Sequence, residues 1–156
     1  MGGDREAVTE RNRVQEVRRV EVDRNGLEVL DREHSLRLLA TATLGRIGVT
    51  SGALPVVLPV NFRLVNDLVV FRTGVGTKLD AATRNQIVAF EADDFEPFSH
   101  AGWSVLVTGT AREVTDPSEV AALSVVPIPR WAPRGAGRTV AISTDLVSGR
   151  RLGSVW

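Results

Sequence analysis

The sequence predicts a mainly β protein, an antiparallel barrel or tightly curled sheet with short helices at its ends. Three observations lead there. Strand-like runs outnumber helix-like ones along the 156 residues. Most connections between them are too short for the crossover that parallel strands need. No Gly-x-Gly-x-x-Gly joins a first strand to a long helix, which disfavours a doubly wound nucleotide-binding sheet.

Residues 1–32 read as a charged N-terminal arm, mobile at its extreme end, and residues 33–156 as the folded domain. Asp31 and His34-Ser35 start a short helix through Leu36, Leu38, Leu39, Ala40 and Ala42, with Gly45 as its stop. The period then changes. Arg46–Thr50 is a first strand, turned by Ser51-Gly52 into a second over Leu54–Phe62. Pro55 and Pro59 cannot donate ladder bonds, so this strand should be an edge, bulged or interrupted. Asn66-Asp67 turns the chain into Leu68–Thr73. After Gly74-Val75-Gly76, Thr77 caps a helix over Lys78–Thr83, with Asp80 as an approximate capping-box partner. Ile87–Glu91 is a fourth strand that ends in the acidic loop Asp93–Glu96. Trp103–Val114 is a fifth, with Gly109 allowing a bend. Asp116-Pro117 opens a helix around Glu119–Leu123, and Pro127–Gly137 is a loop. Thr139–Ser143 and the tail 150–156 complete six or seven strands.

Composition narrows the function. Hydrophobic residues at 43% and charged residues at 24% describe a globular chain. The absence of cysteine removes disulfides, thiolate metal sites and thiol nucleophiles, and two histidines argue against a multi-histidine metal centre. No apolar run reaches the roughly 20 residues of a membrane span, and the start lacks the order of a secretory signal. The 19 basic and 19 acidic side chains cancel, leaving no electrostatic case for nucleic acid or an anionic membrane. The reading is a cytoplasmic protein with a small-molecule or protein partner.

Chemistry concentrates in Phe71-Arg72-Thr73-Gly74-Val75-Gly76-Thr77-Lys78-Leu79. A strand runs into a Gly-x-Gly turn and a helix start, where backbone N–H groups can meet an anion. Arg72 offers a bidentate fork, Thr73 and Thr77 hydroxyl donors, and Lys78 a compact charge. A solvated hairpin-to-helix turn is the plainer alternative and stands about even with it. Lys78 is the single lysine beside 18 arginines. The spacing is not that of a Walker A loop. Asn61, beside Pro59 and Val60, can meet a planar ring with both donors and an acceptor, although from pattern alone edge protection by Pro55 and Pro59 is the favoured reading. Trp103 reads as core or interface packing, and Trp131 as a candidate pocket wall. His34 and His100 belong to no visible nucleophile–base grouping, and Glu91, Asp93, Asp94 and Glu96 read as a charged loop. A chain this poor in nucleophiles and bases favours chemistry borne by a cofactor.

Leu44–Thr50, Leu58–Asn61, Phe71–Leu79 and Gly102–Ala111 together resemble the pyridoxamine 5'-phosphate oxidase-like superfamily, in particular its small flavin- or deazaflavin-binding members, over roughly residues 33 to 152. The resemblance implies a split β-barrel of six to seven mostly antiparallel strands with short peripheral helices. It also implies a homodimer whose FMN clefts lie at the subunit interface. Carried over by position, it places Arg72, Thr73, Thr77 and Lys78 on the FMN phosphate and Pro59, Val60 and Asn61 along the isoalloxazine ring. Trp103 and Ser104 would contact the cofactor from the neighbouring subunit, Trp131 would lie near the ring, and Arg46 would reach the site. No metal is implied, and no catalytic side chain is singled out. The implied function is an oxidoreductase passing hydride or electrons between FMN and a small organic substrate. An F420-dependent reductase is the alternative, with Arg130, Arg134 and Arg138 lining an exit for the cofactor's acidic tail; so is a non-catalytic flavin- or haem-binding protein. The absence of tyrosine, and of histidine in the late segment, weighs against oxidation of pyridoxamine 5'-phosphate itself; Arg150-Arg151-Leu152 only faintly echoes the longer oxidases.

Overall fold

The computed structural model describes residues 20–77, 79–80, 83–129 and 137–153. The elements run β1 (Glu28–Leu30), α1 (Arg32–Thr41), β2 (Leu44–Ser51), β3 (Leu54–Val65), β4 (Leu68–Gly74), β5 (Gln86–Glu96), β6 (Ala101–Glu113), α2 (Pro117–Ser124), β7 (Gly137–Ser143) and β8 (Leu146–Leu152). Every strand pairing is antiparallel. The order β6-β5-β2-β3-β4-β7 closes on itself through a β6–β7 pairing, making a six-stranded barrel, and β8 and β1 extend the sheet from β6.

Closure depends on β6 changing neighbours along one edge. Gly102–Thr108 pair with β8, and Ala111–Glu113 pair with β7. Gly109 stands at the changeover, where the Ser143 carbonyl oxygen lies 1.7 Å from the position a β-carbon would take. The Thr110 amide then donates to the Ser143 hydroxyl at 2.9 Å. The bend expected at Gly109 is thus a crossing point that only glycine permits.

β3 resolves the question of its prolines. Leu54–Asn61 pair with β2, whereas only Phe62–Val65 pair with β4. Pro55 and Pro59 fall in the half whose other edge has no ladder partner in β4, so the strand runs uninterrupted through both.

Three sequence expectations need correction. The acidic stretch 93–96 is strand, not loop: β5 continues to Glu96 opposite Ala101 of β6. Within it Asp93 is met by Arg46 of neighbouring β2 at 2.7 Å, and Glu96 accepts the Ser99 amide at 2.6 Å. Gly45 does not stop the first helix, which ends at Thr41 with extended Ala42 as its cap, and Gly45 lies inside β2. The last strand begins at Leu146, four residues before the expected 150, because Leu146–Ser148 continue the ladder along β6.

The barrel interior is filled by Phe62, Phe71, Phe90, Ile47, Val105 and Ile142, all fully buried, with Phe62 and Phe90 edge to face at 4.7 Å. α1 closes one end by burying Leu36 and Leu39. Its cap is Asp31, whose carboxylate accepts the His34 amide. α2 starts at Pro117 behind the Asp116 cap and covers a second cluster of Val70, Val114, Leu123, Ile128 and Ala141. Arg112 of β6 fastens it through both Glu119 oxygens at 2.7 and 3.0 Å. Residues 20–30 lie against β8, where Arg150 pairs with Asp23 at 2.8 Å and Arg151 with Glu28 at 2.9 Å. The expected mobile start of the chain lies outside the described residues.

Candidate functional site

The β3–β4 ladder ends at Phe62–Phe71. Asn61 and Arg72 are the next residues, and beyond them the strands part: β3 continues beside β2, and Arg72–Gly74 pair with Thr139, Arg138 and Gly137 of β7. The last residues of α2 are tied to one side of the parting and the segment that follows α2 to the other. Arg72 Nη2 donates to the Leu123 and Ser124 carbonyls at 3.4 and 3.3 Å, and Asn61 Nδ2 donates to the Pro129 carbonyl at 3.0 Å.

The turn after β4 is built from its own hydroxyls. Thr77 Oγ1 donates to the Gly74 carbonyl at 2.9 Å and accepts the Asp80 amide at 3.0 Å. This is the capping role the sequence gives it. The buried Thr73 hydroxyl lies 3.0 Å from that of Thr77. Gly76 takes φ +75° and gives its amide to Asp80 Oδ2 at 2.9 Å, so the acid clasps the residue before the cap rather than the cap itself. The Gly76 amide and both threonine hydroxyls are therefore occupied within the turn, and the Thr77 amide makes a long 3.4 Å contact to the Gly74 carbonyl. Arg72 is different. Among the described residues its hydrogen bonds are only the two long carbonyl contacts, which a charged acceptor at 2.7–2.9 Å would outcompete.

The sequence offers Asp80 as a cap partner and carries no sign of its wider role. Its carboxylate also takes Arg84 Nη2 at 3.0 Å, and Arg138 Nε stands 3.5 Å away while Arg138 Nη1 reaches Glu113 at 2.6 Å. The Gly76 amide, and then Arg84 and Arg138, hold this carboxyl below the usual range against the opposing effect of burial. The Thr77-x-x-Asp80 spacing was the available signal. The pairing with Arg138, 58 positions on, carries none in a single sequence.

The other singled-out residues disperse. Pro59 is exposed and opposite Arg46, while the Val60 side chain joins the barrel core. Arg46 is engaged by Glu91 and Asp93 on the outer sheet face. Burial foremost, and then Asp93, push the Glu91 carboxyl above its ordinary value against the pull of Arg46. Trp103 is buried in the main core, and Ser104 is half-buried opposite Asp93 and Arg150. His34 lies against Arg151, and His100 is exposed beside Phe95. Lys78 and Trp131 lie outside the described residues, as do Arg130 and Arg134. A separate open groove of about 470 Å³ lies between α1 and the β3–β4 turn, lined by Leu36, Ala40 and Leu64 under a rim of Arg32, Arg37 and Asp67. It sits at the opposite end of the β3–β4 ladder from Arg72. Among the described residues no helix is long and apolar enough to cross a membrane.

The chain is similar to the protein Rv0080 of Mycobacterium tuberculosis, itself uncharacterized, at 41% identity over 128 residues, covering 79% of this chain and 84% of that one. Among solved structures it is similar to an FAD-binding protein from Mycobacterium smegmatis at 35% identity and a TM-score of 0.73, covering 81% and 98% of the two chains. A conserved Corynebacterium diphtheriae protein of unknown function, DIP1874, superposes with a TM-score of 0.68 at 30% identity, covering 82% and 98%. The family model for pyridoxamine 5'-phosphate oxidase matches residues 31–151, the span from the α1 cap to β8. By sequence and by barrel, this chain belongs to the pyridoxamine 5'-phosphate oxidase-like split-barrel family.

Proposed function

We propose that this protein is a homodimeric flavoprotein that moves hydride or electrons between bound FMN and a small organic substrate. The observation that carries the reading is Arg72, weakly held at the point where β3 and β4 part. Its guanidinium can exchange two long carbonyl contacts for phosphate oxygens. A flavin supplies the redox chemistry when bound; the chain binds, orients and shields it. In this reading Arg72 and Lys78 grip the phosphate, while Thr73 and Thr77 shape the turn that carries them. Pro59, Val60 and Asn61 border the ring through the edge of β3 that has no ladder partner in β4, and Trp131 is assigned to the ring as well. The start of β6 at Trp103 and Ser104 approaches from the neighbouring subunit, Trp103 through its backbone because its ring lies in the core, and Arg46 reaches the site.

The outer sheet face supports the second copy. Gly48 is opposite Val57 and Ala89, Ala89 is opposite Thr108, and Thr108 is opposite Leu146. Alternation adds Ile87 and Leu106 to the same face. Val57, Ile87, Leu106 and Leu146 are 67%, 77%, 45% and 69% exposed, an apolar band across five strands that a monomer would leave in water.

The M. smegmatis relative is described as FAD-binding, which makes FAD the second candidate for the same site. F420 fits less well. Arg138, one of three arginines that would receive its acidic tail, is engaged by Glu113 and Asp80. Titration with FMN, FAD and F420, with the visible spectrum of the purified protein, tests the reading. Saturable uptake of FMN or FAD supports it; a colourless protein that takes up neither contradicts it. Turnover with NADH or NADPH and an acceptor panel separates an oxidoreductase from a flavin carrier.

A further inference from the structure

The turn assigned above to the phosphate is held from behind by an acid. The Asp80 side chain is only 4% exposed and stands among Arg84, Arg138 and, through Arg138, Glu113. A carboxylate beside a phosphate grip is an unexpected choice, because like charges repel. The two arginines offset the two acids in this cluster, so its net charge is zero and its long-range field is muted. What the acid contributes is geometry. It holds the amide of Gly76, whose φ of +75° shapes the turn. It also meets Arg138, the register partner of Thr73 on β7, beside the pair that joins Arg72 to Thr139.

We propose that Asp80 is a positioning residue for the phosphate site: by clasping Gly76 and bracing on Arg138, it fixes the 74–77 turn against the strand pair that carries Arg72. The inference rests on the flavin reading above. It differs from two simpler roles. If Asp80 acted only as a charge, removing it would strengthen anion binding whatever replaced it. If it only supported the fold, affinity would fall in step with stability for every substitution.

Asp80→Ala and Asp80→Asn separate these. Both lose the ion pairs with Arg84 and Arg138, so both thermal midpoints should fall, but Asn keeps an acceptor for the Gly76 amide. Asp80→Ala should weaken FMN binding by about tenfold or more, the loss of a hydrogen bond to a charged group, and speed hydrogen exchange across 74–77. Asp80→Asn should stay within about threefold of wild type in affinity and keep the exchange slow. Both variants binding more tightly, or both weakening equally, overturns the proposal. Arg138→Gln keeps the acid but removes its brace, and decides the matter should Asp80→Ala fail to fold. Faster exchange at 74–77 with weaker FMN binding supports the role, and no change in either overturns it. Wild-type protein that binds neither FMN nor FAD overturns the proposed function and this inference together. Wild-type binding that Asp80→Ala leaves intact overturns the inference alone.

Discussion

Arg72 of β4 donates to the Ser124 carbonyl at 3.3 Å, closing the C-terminal end of α2 from a strand 52 positions earlier. The contact is long and half-exposed, so it holds the guanidinium in place without using it fully. Arg72→Ala should therefore cost less than about 1 kcal/mol in unfolding free energy. The same change should weaken flavin binding by at least about tenfold, since it removes a charged fork from phosphate. Arg72→Lys should restore the charge but not the affinity, because an ammonium lacks the planar pair of donors. Urea unfolding and flavin fluorescence titration on the same preparations check both parts; equal affinity for wild type and Arg72→Ala would remove Arg72 from the site.

Gly109 carries a different prediction, on the barrel rather than the site. A methyl group there would stand 1.7 Å from the Ser143 oxygen, a distance no packing adjustment absorbs without moving backbone. Gly109→Ala should destabilise the protein by more than about 2–3 kcal/mol, the upper part of the range for single substitutions. The β6–β7 closure should loosen first, read as faster exchange at 111–113 and 140–142. A variant as stable as wild type would mean that β6 changes partners elsewhere.

Acid should unfold the protein through a small set of carboxylates. Asp80 is held below its ordinary value by the Gly76 amide and the arginines, Glu119 by Arg112, Asp116 by the Ser118 hydroxyl and the Glu119 amide at the α2 cap, and Asp23 by Arg150. A lowered carboxyl contributes stability above its unfolded value, and that stability is lost as pH falls through the folded one. The thermal midpoint should thus begin to drop below about pH 4, where free carboxyls titrate. Glu91, raised by burial, has the opposite sign: its contribution weakens as pH rises through its folded value. Midpoints measured from pH 2 to 7 for wild type and Asp80→Asn check this, the variant showing the shallower acid slope.

The outer face should govern assembly. Ile87 is 77% exposed and outside the barrel core, so Ile87→Glu should leave a monomer's fold intact. In the apolar band it would bury a charge at the contact between copies. Light scattering after size exclusion should change from dimer to monomer, with flavin retention lost alongside. A variant that stays dimeric would place the interface elsewhere.

Much of the barrel was legible because its strands alternate or punctuate themselves. Arg46–Thr50, Leu68–Thr73 and Trp103–Val114 announce their strands within a few residues, and the prolines of β3 fall where its other edge has no ladder partner in β4. What failed depended on distant partners. Asp93–Glu96 reads as a loop by composition and becomes strand because Ala101–Ser104 of β6 pair with it. β8 has weak β character in Ser148-Gly149-Arg150 and is recruited by β6. At the site, the Arg72–Thr77 turn was visible as a motif. Its hydroxyls, which the motif offers as phosphate donors, also bond within the turn, and a spacing rule cannot tell these two uses apart. The brace from Asp80 to Arg138 follows from β7 lying beside β4, which no local pattern encodes.

The central claim, that two copies enclose flavin beside Arg72, is tested most directly by native mass spectrometry of the purified protein after incubation with FMN and FAD. The account predicts a dimer that retains two flavins, and an Arg72→Ala dimer that retains none under the same conditions. A monomer, or a dimer that carries no flavin after incubation with either, would contradict it.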